Sequence, residues 1–214
     1  MEKFTNKAGS AIVDQLILAI QENKQYLSDI DGLIGDGDHG INMNKGFTLC
    51  RAELDKNPGN LSSSMNILAK ILMMKIGGSM GPLYGKFFKA IAVALEEEEE
   101  IGIKEMGAAL KAAVDAIASI SSAKVGDKTL LDTLIPALTA YEKAQAEGKS
   151  FTEALEAMKF AAIEGCDSTL DMVAKVGRAS RLGERSRGVP DAGATSCRII
   201  LETVADKTKE LLNN

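Results

Sequence analysis

The sequence contains no tryptophan, few other aromatic residues and a single histidine. Aromatic residues make up only 4% of the 214 positions, whereas Ala, Leu, Ile, Met, Lys and Glu dominate. This composition is typical of a helical protein. The length suits one domain with a sizeable buried core.

Cysteine is also scarce. The three cysteines, Cys50, Cys166 and Cys197, stand far apart in the chain and form no CxxC pair. An odd number of isolated cysteines among apolar neighbours predicts buried free thiols in a reducing compartment.

The sequence lacks both an excess of positive charge and a long apolar run. Its formal net charge is -5, so its composition gives no reason to expect a nucleic-acid partner. No apolar run approaches the length that spans a membrane, and the first twenty residues carry no basic leader. We therefore expect a cytoplasmic protein with neither a membrane nor a nucleic acid as its partner.

What the chain does contain is helical periodicity, interrupted by segments that carry glycine. The pattern predicts eight helices, over residues 5–27, 41–56, 61–76, 81–97, 103–121, 128–147, 150–175 and 191–212. No segment alternates polar and apolar residues for long enough to predict a strand. Amphipathic helices with short connections favour an all-α antiparallel bundle or barrel, in one domain over residues 1–214. The glutamate run over 96–100 is predicted to be a solvated helix end and turn.

Acidic residues and glycines crowd the segment GDGDHGINM, residues 35–43. Its carboxylates, Asp36 and Asp38, follow a third at Asp31, and its glycines argue against helix here. Three clustered carboxylates repel one another unless a cation lies among them, and such oxygen ligands suit Mg2+ or Ca2+. An EF-hand is excluded because the twelfth position from Asp29 or from Asp36 is not glutamate. Turn formation is the alternative, and Asp38 could both bind a metal and cap the following helix.

A second glycine-rich segment, GGSMGPLYGK over residues 77–86, lies between two predicted helices. Backbone amides at a glycine-lined helix start can bind phosphate. The segment is not a P-loop, because Met80 stands where glycine is required and Phe87 where serine or threonine is required. Close packing of two helices through glycine is the alternative interpretation.

The segment GDKT over residues 126–129 precedes a long predicted helix. Gly126 and Thr129 could contact a ligand lying across the helix ends. Alternatively, Thr129 and Asp132 form a capping pair at the helix start.

The last glycine-bearing segment, residues 177–196, is rich in arginine. It contains Arg178, Arg181, Arg185 and Arg187. These side chains could neutralise phosphates or contact an acidic partner. A merely solvated loop is the alternative, although loops this long in compact helical proteins are usually functional or disordered.

Together, and in this order, these segments closely resemble the ADP-binding L subunits of dihydroxyacetone kinases. The shared segments are IGDGDHGINMNKGF (34–47), GGSMGPLYG (77–85), GDKTLLD (126–132) and GRASRLGERSRGVPDAGATS (177–196). The resemblance implies a barrel of eight antiparallel helices with the nucleotide site across one end.

The resemblance also implies the residues of the site. Asp31, Asp36 and Asp38 would hold two Mg2+ ions against the diphosphate of ADP. The residues implied for the nucleotide and its phosphates are His39, Gly40, Ile41, Asn42, Ser79, Met80, Gly126, Thr129, Leu130, Arg178, Asp191, Ala192 and Gly193. Among them, Arg178 is the candidate stabiliser of the transferring phosphate, and His39 is expected to donate a hydrogen bond rather than to be phosphorylated. This sequence departs from the family at Met80, Arg181 and Ala192, where a small hydroxyl residue, an aromatic residue and a proline are common.

The implied activity is that of the ADP-binding subunit of a phosphoenolpyruvate-dependent dihydroxyacetone kinase. In such a kinase, bound ADP accepts a phosphate from a phosphohistidine-carrying partner protein, becomes ATP, and passes the phosphate to dihydroxyacetone on a separate substrate-binding subunit. These two proteins are the implied partners, and a homodimer is a further hypothesis. Two alternatives stay open: a nucleotide-dependent regulatory module, and the same transfer to another short ketose or to a fatty acid.

Overall fold

The computed structural model describes residues 2–213 of the chain. Within these residues there are nine α-helices: α1 (Ser10–Glu22), α2 (Lys24–Ile34), α3 (His39–Leu54), α4 (Leu61–Lys75), α5 (Met80–Ala94), α6 (Ile103–Ala118), α7 (Leu131–Ala146), α8 (Phe151–Ser168) and α9 (Ala192–Leu212). Two short strands, β1 (Lys3–Thr5) and β2 (Glu100–Gly102), pair antiparallel with Phe4 opposite Ile101. Two 3-10 segments cover Thr169–Asp171 and Ala179–Ser186.

The helices form a closed ring with eight positions. Starting from α9, neighbours in contact are α1, α3, α4, α5, α6, α7, α8 and then α9 again. Helix α1 contacts α3 through the ion pair of Asp14 with Arg51 and the hydrogen bond from Gln21 to Thr48 Oγ1. Helix α2 continues from α1 along the side of α3, where the backbone of Lys24 approaches Gly40. The predicted all-α barrel is therefore confirmed.

The structure corrects the sequence predictions at four places. The predicted helix over 150–175 ends at Ser168 and is followed by the 3-10 segment Thr169–Asp171. The predicted helix over 5–27 is two helices that meet at Asn23. Helix α2 continues through Asp31 and Gly32, where the glycines argued against helix. The strands β1 and β2 were not predicted, because three residues are too few to show a period of two.

One continuous apolar core fills the ring and takes buried residues from every α-helix. An aromatic cluster within it joins α3 to α5, with the ring centroids of Phe87 and Phe88 5.0 Å apart and those of Phe47 and Phe88 6.0 Å apart. All three cysteines are buried free thiols, as predicted. The glutamates over 96–100 are exposed, also as predicted. No helix within residues 2–213 is long and apolar enough to cross a membrane.

Because neighbouring helices in the ring alternate in direction, the helices α3, α5, α7 and α9 all begin at the same end of the barrel. The residues at or beside these four starts, His39, Met80, Leu131 and Ala192, line one cleft there. Helices α4 and α8 are instead capped by side chains, through Asn60 with Ser63 and Ser150 with Glu153. Helix α5 begins at the cleft and, among the described residues, has no side-chain cap. Its first backbone N–H groups therefore remain available to a ligand.

Candidate functional site

A cleft of about 360 Å3 lies across the end of the barrel where these four helices begin. Most of the residues predicted for the site contribute to its walls. They are Asp31, Asp36, Asp38, His39, Ser79, Met80, Thr129, Leu130, Arg178, Asp191, Ala192 and Gly193. The four glycine-bearing segments, which are far apart in the sequence, are thus brought together at one place.

Four of the predicted nucleotide contacts do not line the cleft: Gly40, Ile41, Asn42 and Gly126. Gly40 is packed against α2 instead, so closely that a Cβ atom there would lie 2.0 Å from the carbonyl oxygen of Lys24. Ile41 is 54% exposed on the outside of α3. Gly126 has a φ of 93° and forms the turn before α7, a conformation that favours glycine.

The three acids form the cluster that the sequence predicted. One carboxylate oxygen from each of Asp31, Asp36 and Asp38 lies within 4.8 Å of the others. Asp31 comes from the last turn of α2, whereas Asp36 and Asp38 come from the four-residue connection to α3. The donor set is made only of oxygens, which suits a hard divalent cation such as Mg2+.

Two contacts hold this cluster in place. Asp31 Oδ2 accepts a hydrogen bond of 3.2 Å from the backbone N–H of His39, which ties the end of α2 to the start of α3. The guanidinium of Arg178 forms an ion pair with Asp36. Arg178 thus brings the arginine-rich segment to the carboxylates. Asp38 precedes α3 but makes no capping hydrogen bond among the described residues, so the predicted capping role was wrong.

His39 lies between the cluster and α9. Its Nε2 atom is 2.8 Å from Ser196 Oγ, which is in turn 2.6 Å from the hydroxyl oxygen of Tyr84. Burial lowers the pKa of His39 to about 4, against the opposing effect of the Asp31 carboxylate. The imidazole is therefore neutral at pH 7. Sequence reasoning missed Tyr84 and Ser196, although both stand inside the quoted segments.

Lys128 is a third residue that sequence reasoning missed. It is 1% exposed and has a φ of 63°, which is uncommon outside glycine. Its Nζ donates three hydrogen bonds to backbone carbonyls of the C-terminal loop, at 3.1 Å to Met172, 2.6 Å to Ser186 and 2.6 Å to Val189. Burial lowers the pKa of this ammonium. Lys128 holds the loop over residues 172–189 against the start of α7.

The remaining walls of the cleft combine backbone and apolar surface. Gly77 and Gly78 stand in open space, with no other described atom within 4 Å of an ideal Cβ, so a ligand can approach the backbone there. Met80 is 8% exposed at the start of α5. At the start of α7, Asp132 accepts from the N–H of Thr129, which is one half of the predicted capping pair. The other half is not formed, because the Thr129 hydroxyl accepts from the N–H of Leu131 and the N–H of Asp132 bonds to the backbone carbonyl of Thr129.

Asp191 caps α9 by accepting from the N–H of Ala194 at 2.8 Å. Burial raises the pKa of its carboxyl to about 6, although hydrogen bonds to the backbone and the charge of Lys128 act in the opposite direction. Asp191 lines the cleft, and the contact that the structure shows for its carboxyl group is the cap of α9.

The sequence profile of the DAK2 domain matches residues 33–206 of this chain. The chain belongs to the DAK2 domain family. This DAK2 domain is 35% identical over 190 residues to the ADP-binding subunit DhaL of the PEP-dependent dihydroxyacetone kinase of Escherichia coli (strain K12), covering 87% of this chain and 89% of that one. It is 36% identical over 188 residues to the ADP-binding subunit DhaL of the PTS-dependent dihydroxyacetone kinase of Lactococcus lactis, covering 87% and 90%. The family resemblance seen in the sequence is thus confirmed.

Longer relatives contain the DAK2 domain as one part. The D-erythrulose kinase of Mycolicibacterium smegmatis is 35% identical over 208 residues, which cover 94% of this chain and 36% of that one. The crystal structure of the dihydroxyacetone kinase from C. freundii in complex with AMP-PNP and Mg2+ is similar with a TM-score of 0.66 at 23% identity. The likeness covers 92% of this chain, which spans about a third (33%) of that structure. This similarity shows that the fold is shared.

Proposed function

We propose that this DAK2 domain is the ADP-binding subunit of a phosphoenolpyruvate-dependent dihydroxyacetone kinase. One observation carries the proposal: three clustered carboxylates share a single cleft with the starts of four helices. Carboxylates attract a divalent cation, and helix N-termini attract phosphate. The relatives named as ADP-binding DhaL subunits, matched over most of their length, support the same function.

The residues of the cleft fit a nucleotide diphosphate with Mg2+. Asp31, Asp36 and Asp38 would hold the metal, which we propose to be two Mg2+ ions, and backbone N–H groups over 77–81 would hold the phosphates. ADP bound there supplies an acceptor and then a donor for the phosphoryl group. Arg178 lies at the carboxylates and offsets negative charge that develops on the transferring group.

No general base is required of this chain, because positioning and electrostatic stabilisation account for most phosphoryl-transfer catalysis. His39 is neutral and hydrogen-bonded to Ser196, which suits a side chain that lines the phosphate site. We therefore propose that His39 binds the nucleotide phosphates and is not itself phosphorylated.

The proposal includes two partners. The acceptor is held by a dihydroxyacetone-binding kinase subunit, and the phosphate arrives from a phosphohistidine-carrying phosphotransferase subunit. A second acceptor class, short ketoses other than dihydroxyacetone, is favoured by the relatives named erythrulose kinases. The homodimer and the cytoplasmic location remain predictions.

Nucleotide retention is the first test. Protein purified in Mg2+ should release ADP when denatured, identified by mass spectrometry, and should bind added ADP after that nucleotide is removed. Asp36→Asn should raise the Kd for ADP with Mg2+ about a hundredfold, or ~2.8 kcal/mol, while its circular dichroism stays unchanged. Asp29→Asn is the matched control, because Asp29 is an exposed acid on α2 outside the cluster. Wild-type protein that binds no ADP would exclude the proposed function.

Turnover is the second test. The chain is mixed with purified dihydroxyacetone-binding and phosphohistidine-carrying subunits, phosphoenolpyruvate and either dihydroxyacetone or erythrulose. Formation of a ketose phosphate that depends on this chain supports the kinase role and identifies the acceptor. Binding of ADP without any turnover would favour the regulatory module instead.

A further inference from the structure

Three polar side chains from three helices meet beneath the cleft. His39 begins α3, Tyr84 belongs to α5, and Ser196 belongs to α9. Tyr84 and Ser196 are 2% and 0% exposed, so their hydroxyls must be paired inside the protein. Tyr84 Oη lies 2.6 Å from Ser196 Oγ, and Ser196 Oγ lies 2.8 Å from Nε2 of His39. Both hydroxyl oxygens also lie near the carbonyl of Gly193, at the longer distances of 3.2 and 3.1 Å.

Each hydroxyl has one proton to donate, and the distances indicate where each goes. The phenol of Tyr84 is the stronger acid, and its shortest contact is with Ser196 Oγ, so it donates to Ser196. Ser196 then has the choice of the imidazole nitrogen at 2.8 Å or the Gly193 carbonyl at 3.1 Å. The nitrogen is both nearer and the more basic acceptor. The Gly193 carbonyl is not left unpaired, because in the first turn of α9 it accepts from the N–H four residues later.

A chain of hydrogen bonds with one direction follows, from Tyr84 to Ser196 to His39. If Nε2 accepts the hydrogen bond from Ser196, it carries no proton of its own, and the single proton of a neutral ring lies on Nδ1. Among residues 2–213 the ring makes no other hydrogen bond to the protein, and the ring lines the cleft. Nδ1 is therefore the ring nitrogen that remains for a ligand.

We infer that Ser196, oriented by Tyr84, is a positioning residue that fixes His39 as the Nδ1–H tautomer, so that the ring donates a hydrogen bond to an anion in the cleft. The opposite tautomer would present a lone pair to that anion and repel it. The identity of the anion as a nucleotide phosphate rests on the proposed function, whereas the tautomer does not. The donors in such a chain also strengthen one another, so Tyr84 contributes to the orientation of His39 through Ser196.

The tautomer can be measured without any ligand. Because the chain has a single histidine, a long-range 1H–15N spectrum of protein labelled at histidine shows only one pair of ring nitrogens. Recorded at pH 8 on the wild-type protein, it should show a protonated Nδ1 and an unprotonated Nε2. A protonated Nε2 would overturn the inference.

Three variants separate positioning from folding. Ser196→Ala removes the donor to Nε2, so the ring should shift toward the Nε2–H form that free imidazole prefers, and the Kd for ADP with Mg2+ should rise about tenfold. Tyr84→Phe keeps the aromatic packing and should weaken binding roughly two- to threefold through the lost cooperativity. Thr203→Ala is the control, because it removes a hydroxyl that bonds only to the Ile199 carbonyl on the same helix. It should change neither readout.

The two proposals can fail separately. If the wild-type protein binds no ADP, the proposed function fails while the tautomer spectrum still tests the inference. If the wild-type protein binds ADP but Ser196→Ala binds it equally well, or keeps the Nδ1–H spectrum, the inference fails and the proposed function stands. If Ser196→Ala has altered circular dichroism, the variant is misfolded, and the 1H–15N spectrum of the wild-type protein alone tests the inference.

Discussion

Replacing Lys128 with methionine should release the C-terminal loop from the barrel. Methionine has nearly the same length, but it cannot donate a hydrogen bond. The three carbonyls that Lys128 now binds, those of Met172, Ser186 and Val189, would lose their partner. These carbonyls come from both ends of the loop over residues 172–189, so a single ammonium holds the loop at both of its ends.

The size of the effect follows from three hydrogen bonds to a charged donor. Each is worth about 1.5–3 kcal/mol, but the buried ammonium is itself poorly solvated, as its lowered pKa indicates. Part of the loop can also rehydrate once it is free. We therefore expect a net loss of about 3 kcal/mol in the free energy of unfolding, or roughly 6–12 °C in Tm for a chain of this size.

Trypsin offers a local assay, because the released loop carries Arg178, Arg181, Arg185 and Arg187. In Lys128→Met these sites should be cleaved at least about tenfold faster than in the wild type, a ratio that corresponds to ~1.4 kcal/mol of easier opening. Mass spectrometry locates the cuts. Lys89→Met is the matched control, because Lys89 is half-buried and its Nζ donates one hydrogen bond of 3.0 Å, to Asn66. An unchanged Tm together with unchanged cleavage of the loop in Lys128→Met would refute the reasoning.

Two further predictions concern stability. Gly165→Ala should lower the free energy of unfolding by about 2–3 kcal/mol, because the new Cβ atom would lie 2.3 Å from the backbone oxygen of Asp132 and force α8 away from α7. Gly32→Ala is the control: a Cβ atom at residue 32 would lie 3.8 Å from its nearest neighbour, so this variant should be neutral or stabilising in the same thermal melts. Equal Tm values for the two variants would contradict this. Asp191 has a pKa raised from 3.8 to about 6, so the folded protein binds its proton more tightly than the unfolded chain. The stability that this proton contributes is complete below about pH 3.8, is lost as the pH rises to about 6, and does not change further above that. Asp191→Asn removes this loss, so relative to wild type it should gain at most about 3 kcal/mol between pH 4 and pH 8, and urea titrations that show parallel pH profiles would contradict it.

The fold was predictable because its evidence is local. Each long helix carries its own apolar period, and short connections imply that neighbouring helices run in opposite directions. The break at Asn23 was not predictable, because the apolar pattern continues across it. Likewise, Asp31 and Gly32 lie in α2 despite their weak helix propensity, and a tertiary contact, the hydrogen bond from the N–H of His39 to Asp31, holds that end of the helix.

The site was predictable to the extent that its residues are chemically conspicuous. Three clustered acids and a glycine-rich turn are easy to recognise in a sequence, and the structure places them in one cleft. Lys128, Tyr84 and Ser196 were missed because a buried lysine or hydroxyl looks in sequence like an exposed one. Their roles depend on partners 44 to 157 residues away along the chain, which no local pattern reveals. Ile41 and Asn42 were assigned to the site by resemblance alone, and the structure leaves them outside the cleft wall.

The close approach of Gly40 to α2 has a consequence for how the site binds. The two helix backbones touch there, and the connection between the helices, residues 35–38, is only four residues long. A loop this short between fixed ends has little conformational entropy left to lose. Capture of a cation by Asp36 and Asp38 therefore requires almost no ordering of the chain. The opposite wall is different, since Gly177, Gly183 and Gly188 all have positive φ values and open space around them. Lys128 holds the ends of this loop, but the glycines between them keep more backbone freedom than residues 35–38. Substitutions in the C-terminal loop should therefore change the affinity while the carboxylates stay the same.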